Sequence, residues 1–104
     1  MDKQFVMRTF REAHDSFDLA SKADDKYAQI GLGMEQLCEA LTRAIDDSTR
    51  SHAPIILDAA YKRLFNAATE IGGQTEVQMY GGACMLLTAA LKMMLFDKPP
   101  ARPY

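Results

Sequence analysis

His14 and Asp18 stand four residues apart with Arg11 one turn earlier, and Glu35 and Glu39 repeat that spacing further on. Residues four apart share a helix face. A carboxylate that orients a histidine is a recurrent acid–base or ligand arrangement. Two carboxylates on one helix can hold a divalent cation if another helix supplies more oxygens. Each pair also has a plainer reading. His14 and Asp18 suit a hydrogen-bonded pair at the edge of a core. Glu39 and Arg43 suit an exposed helix ion pair worth about 0.3–0.5 kcal/mol. His52 lies in a polar loop with no chemical neighbour in sequence.

Small all-helical nucleotide pyrophosphohydrolases use clustered acidic residues to hold metal, usually spaced three apart. Glu35 and Glu39, four apart, are not such a pair. Glu12, Asp15 and Asp18 have the spacing, but Glu12 and Asp18 diverge around the helix. A metal-dependent enzyme is therefore an alternative and not the leading expectation, and no metal or cofactor is assigned. The "GLG" at 31–33 lacks the third glycine of a dinucleotide fingerprint and the Lys-Ser or Lys-Thr of a phosphate loop. Cys38 and Cys84 sit in apolar patterns with no zinc-like spacing, which suits buried, reduced thiols.

A helix-turn-helix is the second alternative, over residues 67–82. Gly73 stands where an apolar turn residue is expected, and Gln78 where the second helix should bury an aliphatic one. Residues 74–91 contain no Lys or Arg for phosphate contacts. With 12 basic against 14 acidic residues, the net charge of −2 gives no general pull toward nucleic acid or anionic membrane.

These groups need elements to hold them. The 104 residues fit one domain over 1–97, with a Pro-rich tail over 98–104 expected to be flexible. The fold class is all-α, about four helices. The first, over 3–23, has Val6, Phe10, Ala13, Phe17 and Ala20 on one stripe. The second, over 26–46, is capped by Asp25 and striped by Tyr27, Ile30, Met34, Leu37, Leu41 and Ile45. Gly31 and Gly33 inside it point to close packing or a bend. The third, over 54–71, starts at Pro54, has Ile56, Leu57, Ala60, Leu64, Ala67 and Ile71 on one face, and ends at Gly72-Gly73. The fourth, over 75–96, starts at a capping box of Thr75 and Gln78.

The fourth helix raises the main question, because residues 77–96 carry one charge, Lys92. Gln78 and Lys92 interrupt it, and it lacks flanking arginines and a double aromatic belt, so membrane insertion is not expected. One face, with Val77, Tyr80, Cys84, Leu87, Leu91 and Met94, suits the internal core. A second, with Met79, Gly82, Leu86, Ala89, Ala90 and Met93, has no evident internal partner and is assigned to a homodimer interface.

The function expected is that of a small non-enzymatic interaction protein, a regulator, adaptor or inhibitor of a larger protein, acting as a homodimer. Small phage or bacterial regulators commonly look like this. With no secretory signal at the N-terminus, it is placed in the cytoplasm. For an unidentified protein partner, the contact faces are Arg8, Arg11, Asp15 and Lys22 on helix one and Glu35, Glu39 and Arg43 on helix two.

Overall fold

The computed structural model describes residues 2–102. Its order is α1 (Lys3–Ala23), a 3-10 turn (Asp25–Tyr27), α2 (Ala28–Ile45), a second 3-10 turn (Arg50–His52), α3 (Ala53–Ala68) and α4 (Thr75–Phe96). There are no strands among the described residues. The protein is all-α.

Each helix packs on the next in chain order. α1 lies on α2, α2 on α3 and α3 on α4, whereas α2 and α4 touch only locally and α1 and α4 do not pack together. The body is accordingly flattened, 42 × 29 × 17 Å. α2 and α3 form the middle, and α1 and α4 are the two edges.

The glycines of α2 explain how it serves two neighbours. Two residues along a helix is more than half a turn, so Gly31 and Gly33 face different ways. A Cβ on Gly31 would stand 2.8 Å from Ser21 Cβ and 3.0 Å from Ser21 Cα, against α1. A Cβ on Gly33 would stand 2.8 Å from the Leu64 side chain, against α3. Leu37, Ala40, Leu57 and Ala60 form the buried centre, with Met34, Leu41, Ile56, Leu91 and Phe96 packed around it. Arg63 ties α3 to α2 through Gln36 Oε1 at 3.2 Å and Gln29 Oε1 at 3.1 Å.

The local signals set the ends unevenly. α1 and α4 run over the expected residues. Asp2 caps α1 by accepting from Phe5 N. Residues 26 and 27 belong to the 3-10 turn, and Asp24, not Asp25, accepts from the Lys26 N–H. Asp46 lies just past α2. α3 stops at Ala68, with Thr69 as its cap still donating its N–H and hydroxyl to Phe65 O; Gly72, at φ 77, turns the loop beyond. Ile71, placed in the α3 core stripe, is fully exposed in that loop. The α4 cap is Gln74 with no side-chain bond, and Gln78 donates instead to Glu70 O. Part of the expected tail returns to α3, where the Ala101 N–H donates to Asp58 Oδ1 at 3.0 Å; residues 103 and 104 lie outside the described residues.

Candidate functional site

The stripe that α4 buries against its own subunit is made of small and polar residues. Gly81 lets α4 meet α3, where a Cβ would stand 3.0 Å from Ala68 N and 3.1 Å from Ala67 Cβ. Thr88 is fully buried and donates its hydroxyl to Cys84 O. Lys92 is 5% exposed, and its ammonium donates to Asp58 Oδ1 at 2.6 Å. Val77 is the one large apolar residue fully within this stripe. Arg50 closes the far end, donating to Ala44 O and Leu95 O at 2.8 Å each and lying over the Phe96 ring. One guanidinium thus satisfies terminal carbonyls of two helices.

The opposite side of α4 is apolar and open. Met79 is 70%, Leu86 66% and Met93 50% exposed. These belong to the face assigned to an interface, and Ala90 is exposed with them. Gly82 and Ala89 sit at its flank instead, partly buried, with Gly82 directed toward Ala68. Tyr80, Leu87 and Met94, assigned above to the internal core, are exposed as well. The reason is that Gly81 and the Lys92–Asp58 pair set the rotation of the helix, and both lie about a third of a turn from where the apolar pattern points. α4 is long and apolar enough to cross a membrane by length and composition.

The chemistry-bearing pairs separate. His14 Nδ1 lies 3.4 Å from Asp15 Oδ1 and Nε2 3.8 Å from Glu35 Oε1, while Asp18 pairs with Lys22 at 3.0 Å. His14 and Asp18 are therefore not a dyad. The Lys22 ammonium holds the Asp18 carboxyl below its ordinary range. Glu35 is not on an open face: its side chain is 12% exposed between α1 and α2, and its Oε2 is buried without a hydrogen-bond partner. Burial, then the neighbouring Asp18 carboxylate, pushes Glu35 up. Glu39 turns outward and pairs with Arg43 at 3.3 Å. Among the described residues no three His, Cys, Asp or Glu side chains group as metal ligands would.

Arg8, Arg11, Asp15 and Lys22 are exposed along α1. A groove of about 430 Å³ between α1 and α2 is lined by Arg11, His14, Cys38, Glu39 and Arg43 among others. Burial pushes the thiols of Cys38 and Cys84 up, away from the reactive thiolate. A larger open groove of about 690 Å³ lies between the start of α2 and the loop before α4, with no converging catalytic groups. At its side the Tyr27 hydroxyl bonds to Glu76, which with burial pushes its pKa up to about 12.

No protein-family model, curated protein or solved structure matches the chain. Three features of the site escape sequence reasoning: Lys92 with Asp58, Arg50 across two helix ends, and the burial of Glu35. Only Arg50 leaves a trace, as a basic residue in a loop that follows a helix C-terminus.

Proposed function

We propose that this is a small non-enzymatic interaction protein, a regulator, adaptor or inhibitor, that works as a homodimer joined through α4. One observation carries the reading: α4 buries Thr88 and Lys92 while it turns Met79, Leu86, Leu87, Met93 and Met94 outward. In a solitary subunit the opposite orientation would be favoured, since each Leu or Met buried contributes about 1.5–3 kcal/mol. The outward row includes Met79, Leu86 and Met93. Covering it in a pair gains several kcal/mol, on the order of the docking cost that association must exceed. Methionines also adapt to a facing surface without strict shape demands.

The partner-contact face on α1 is on the opposite edge of the array from α4. A homodimer would therefore present Arg8, Arg11, Asp15 and Lys22 twice, at its two extremities. That arrangement suits a protein that bridges or occupies copies of a larger protein.

The test is Leu86→Glu, measured by light scattering and circular dichroism. The parent is expected at twice the chain mass and the variant at the chain mass, with equal helix content, because Leu86 is mostly exposed in its own subunit. A parent that stays monomeric at tens of micromolar, a concentration at which a pair of this size should form, would end the reading. A divalent cation or nucleotide that raised the melting temperature would favour the metal-dependent alternative instead.

A further inference from the structure

The outward face of α4 has an internal symmetry that says how a second copy would sit on it. Its large residues come as neighbouring pairs one heptad apart: Met79 with Tyr80, Leu86 with Leu87, and Met93 with Met94. All six are at least half exposed. Ala83 and Ala90 fill the intervals and are exposed too. A repeat of seven is the period of two helices packing side by side along a shallow seam.

The pattern also reads the same from either end. About the midpoint between Leu86 and Leu87, Met79 mirrors Met94, Tyr80 mirrors Met93, and Ala83 mirrors Ala90. Mirror-related residues have similar exposure, 70% and 74% for the outer methionines. Only an antiparallel arrangement brings mirror-related residues together. Resting on the α4 reading above, we propose that the second copy packs antiparallel, on a two-fold axis passing between Leu86 and Leu87. Ala83 of each subunit then meets Ala90 of the other, and those small layers let the helices approach.

Electrostatics and area agree with this occupant. Antiparallel helices place each positive dipole end beside a negative one. A parallel pair would bring the two Glu76 carboxylates together, whereas the antiparallel one separates them by the length of the helix. Six large side chains, each exposing about 100 Å², together with the alanines and rim, approach the roughly 800 Å² per partner of a standard interface. A lipid surface is less suited, since a helix lying on one carries Lys or Arg along its polar edge, and α4 has only the inward-facing Lys92.

Ala83→Cys and Ala90→Cys, each made with Cys84→Ser, test the arrangement by mild oxidation. A disulfide needs Cα atoms within about 7 Å, and one heptad of offset is about 10 Å. An equal mixture is expected to give covalent heterodimers of the two variants, and each variant alone to give none. Disulfides within A83C alone and within A90C alone would establish a parallel pair, overturning the antiparallel inference while the homodimer stands. A dimer that crosslinks in neither way has its interface elsewhere, which overturns the inference. Light scattering and sedimentation with phosphatidylcholine–phosphatidylserine vesicles complete the test. A monomer that binds vesicles makes lipid the occupant; one that neither crosslinks nor binds leaves the face to a different protein. Either result overturns both readings.

Discussion

α2 hides small and apolar side chains, whereas α4 hides two polar ones among its four buried residues. α2, in the middle, buries Gly31, Gly33, Leu37, Cys38, Ala40 and Ala44, and does so toward two neighbours. α4, at the edge, is the more apolar helix by sequence, yet beside Val77 its buried stripe holds Gly81, Thr88 and Lys92. The contrast teaches that apolar content does not decide which helix is central. A central helix must be approached from two sides, and small residues allow that. An apolar surface at an edge has no such role within one subunit, and it is this surplus that motivates the dimer proposal.

The largest effect expected from breaking the comparison is at the inward charge of α4. Lys92 is buried and Asp58, on α3, is its one ion-pair partner among the described residues. Removing one member of a buried pair leaves an uncompensated charge, which costs about 3–5 kcal/mol. Asp58→Ala should lower stability by about 3 kcal/mol, the lower end because Asp58 keeps some solvent. Lys92→Met should cost less, since the group left behind is Asp58, which keeps solvent and the Ala101 N–H, while an apolar chain of similar length replaces the ammonium. Urea unfolding of the three proteins measures both. Equal losses in the two variants would mean that the pair anchors α4 by attraction, not by sparing Lys92 an unpaired burial.

At α2 the expected loss is smaller and steric. A Cβ at Gly31 would meet Ser21 Cα at 3.0 Å and Phe17 O at 3.1 Å, both backbone atoms that cannot rotate away. Gly31→Val should cost about 1–3 kcal/mol by overpacking, read as a fall in melting temperature. Gly33→Ala should cost less, because Leu64, which it faces, is a side chain with rotamers to use. If Gly31→Val were as stable as the parent, α1 would be free to move off α2, and the two-sided packing of α2 would lose its basis.

This division was partly legible in the sequence. The stripes of Val6, Phe10 and Phe17 and of Leu57, Ala60 and Leu64 name helices and inward faces, because each alternates with charge. The two glycines of α2 signal close packing for the same local reason. α4 has no such alternation, so its ends were readable and its rotation was not. The rotation is fixed by Asp58, 34 residues away in sequence from Lys92, and by Gly81 against α3. Met79, Leu86 and Met93 were assigned outward, while Tyr80, Leu87 and Met94 were assigned inward, and a helix apolar all round offers nothing to tell them apart. Glu35 was hidden for the opposite reason: a carboxylate four residues from another reads as a solvated face, and only the approach of α1 encloses it.

Glu35 supplies the smallest and most diagnostic effect, since it sets a buried carboxyl with one unpartnered oxygen on α2 beside the Lys92–Asp58 pair of α4 and α3. Burial is the main cause that raises its pKa above 4.5; Asp18 adds to it through its charge and a shared hydrogen bond, while His14 and Lys22 pull the other way. For a carboxyl raised in the folded state, the folded protein is favoured while the group is protonated. That advantage is complete below 4.5 and is lost as pH rises through the folded value. Above its raised folded value, then, Glu35 is ionised at the expense of stability. Glu35→Gln keeps the shape, removes the charge and supplies a donor toward Asp18. Its urea midpoint should exceed the parent's on the alkaline side of the raised Glu35 value, and the gap should close as pH falls through that value toward 4.5. A gap that stayed constant with pH would come from packing and not ionisation. A gap that widened toward acid would reverse the sign and place Glu35 among the carboxylates that α1 stabilises in their charged form, as Lys22 does for Asp18.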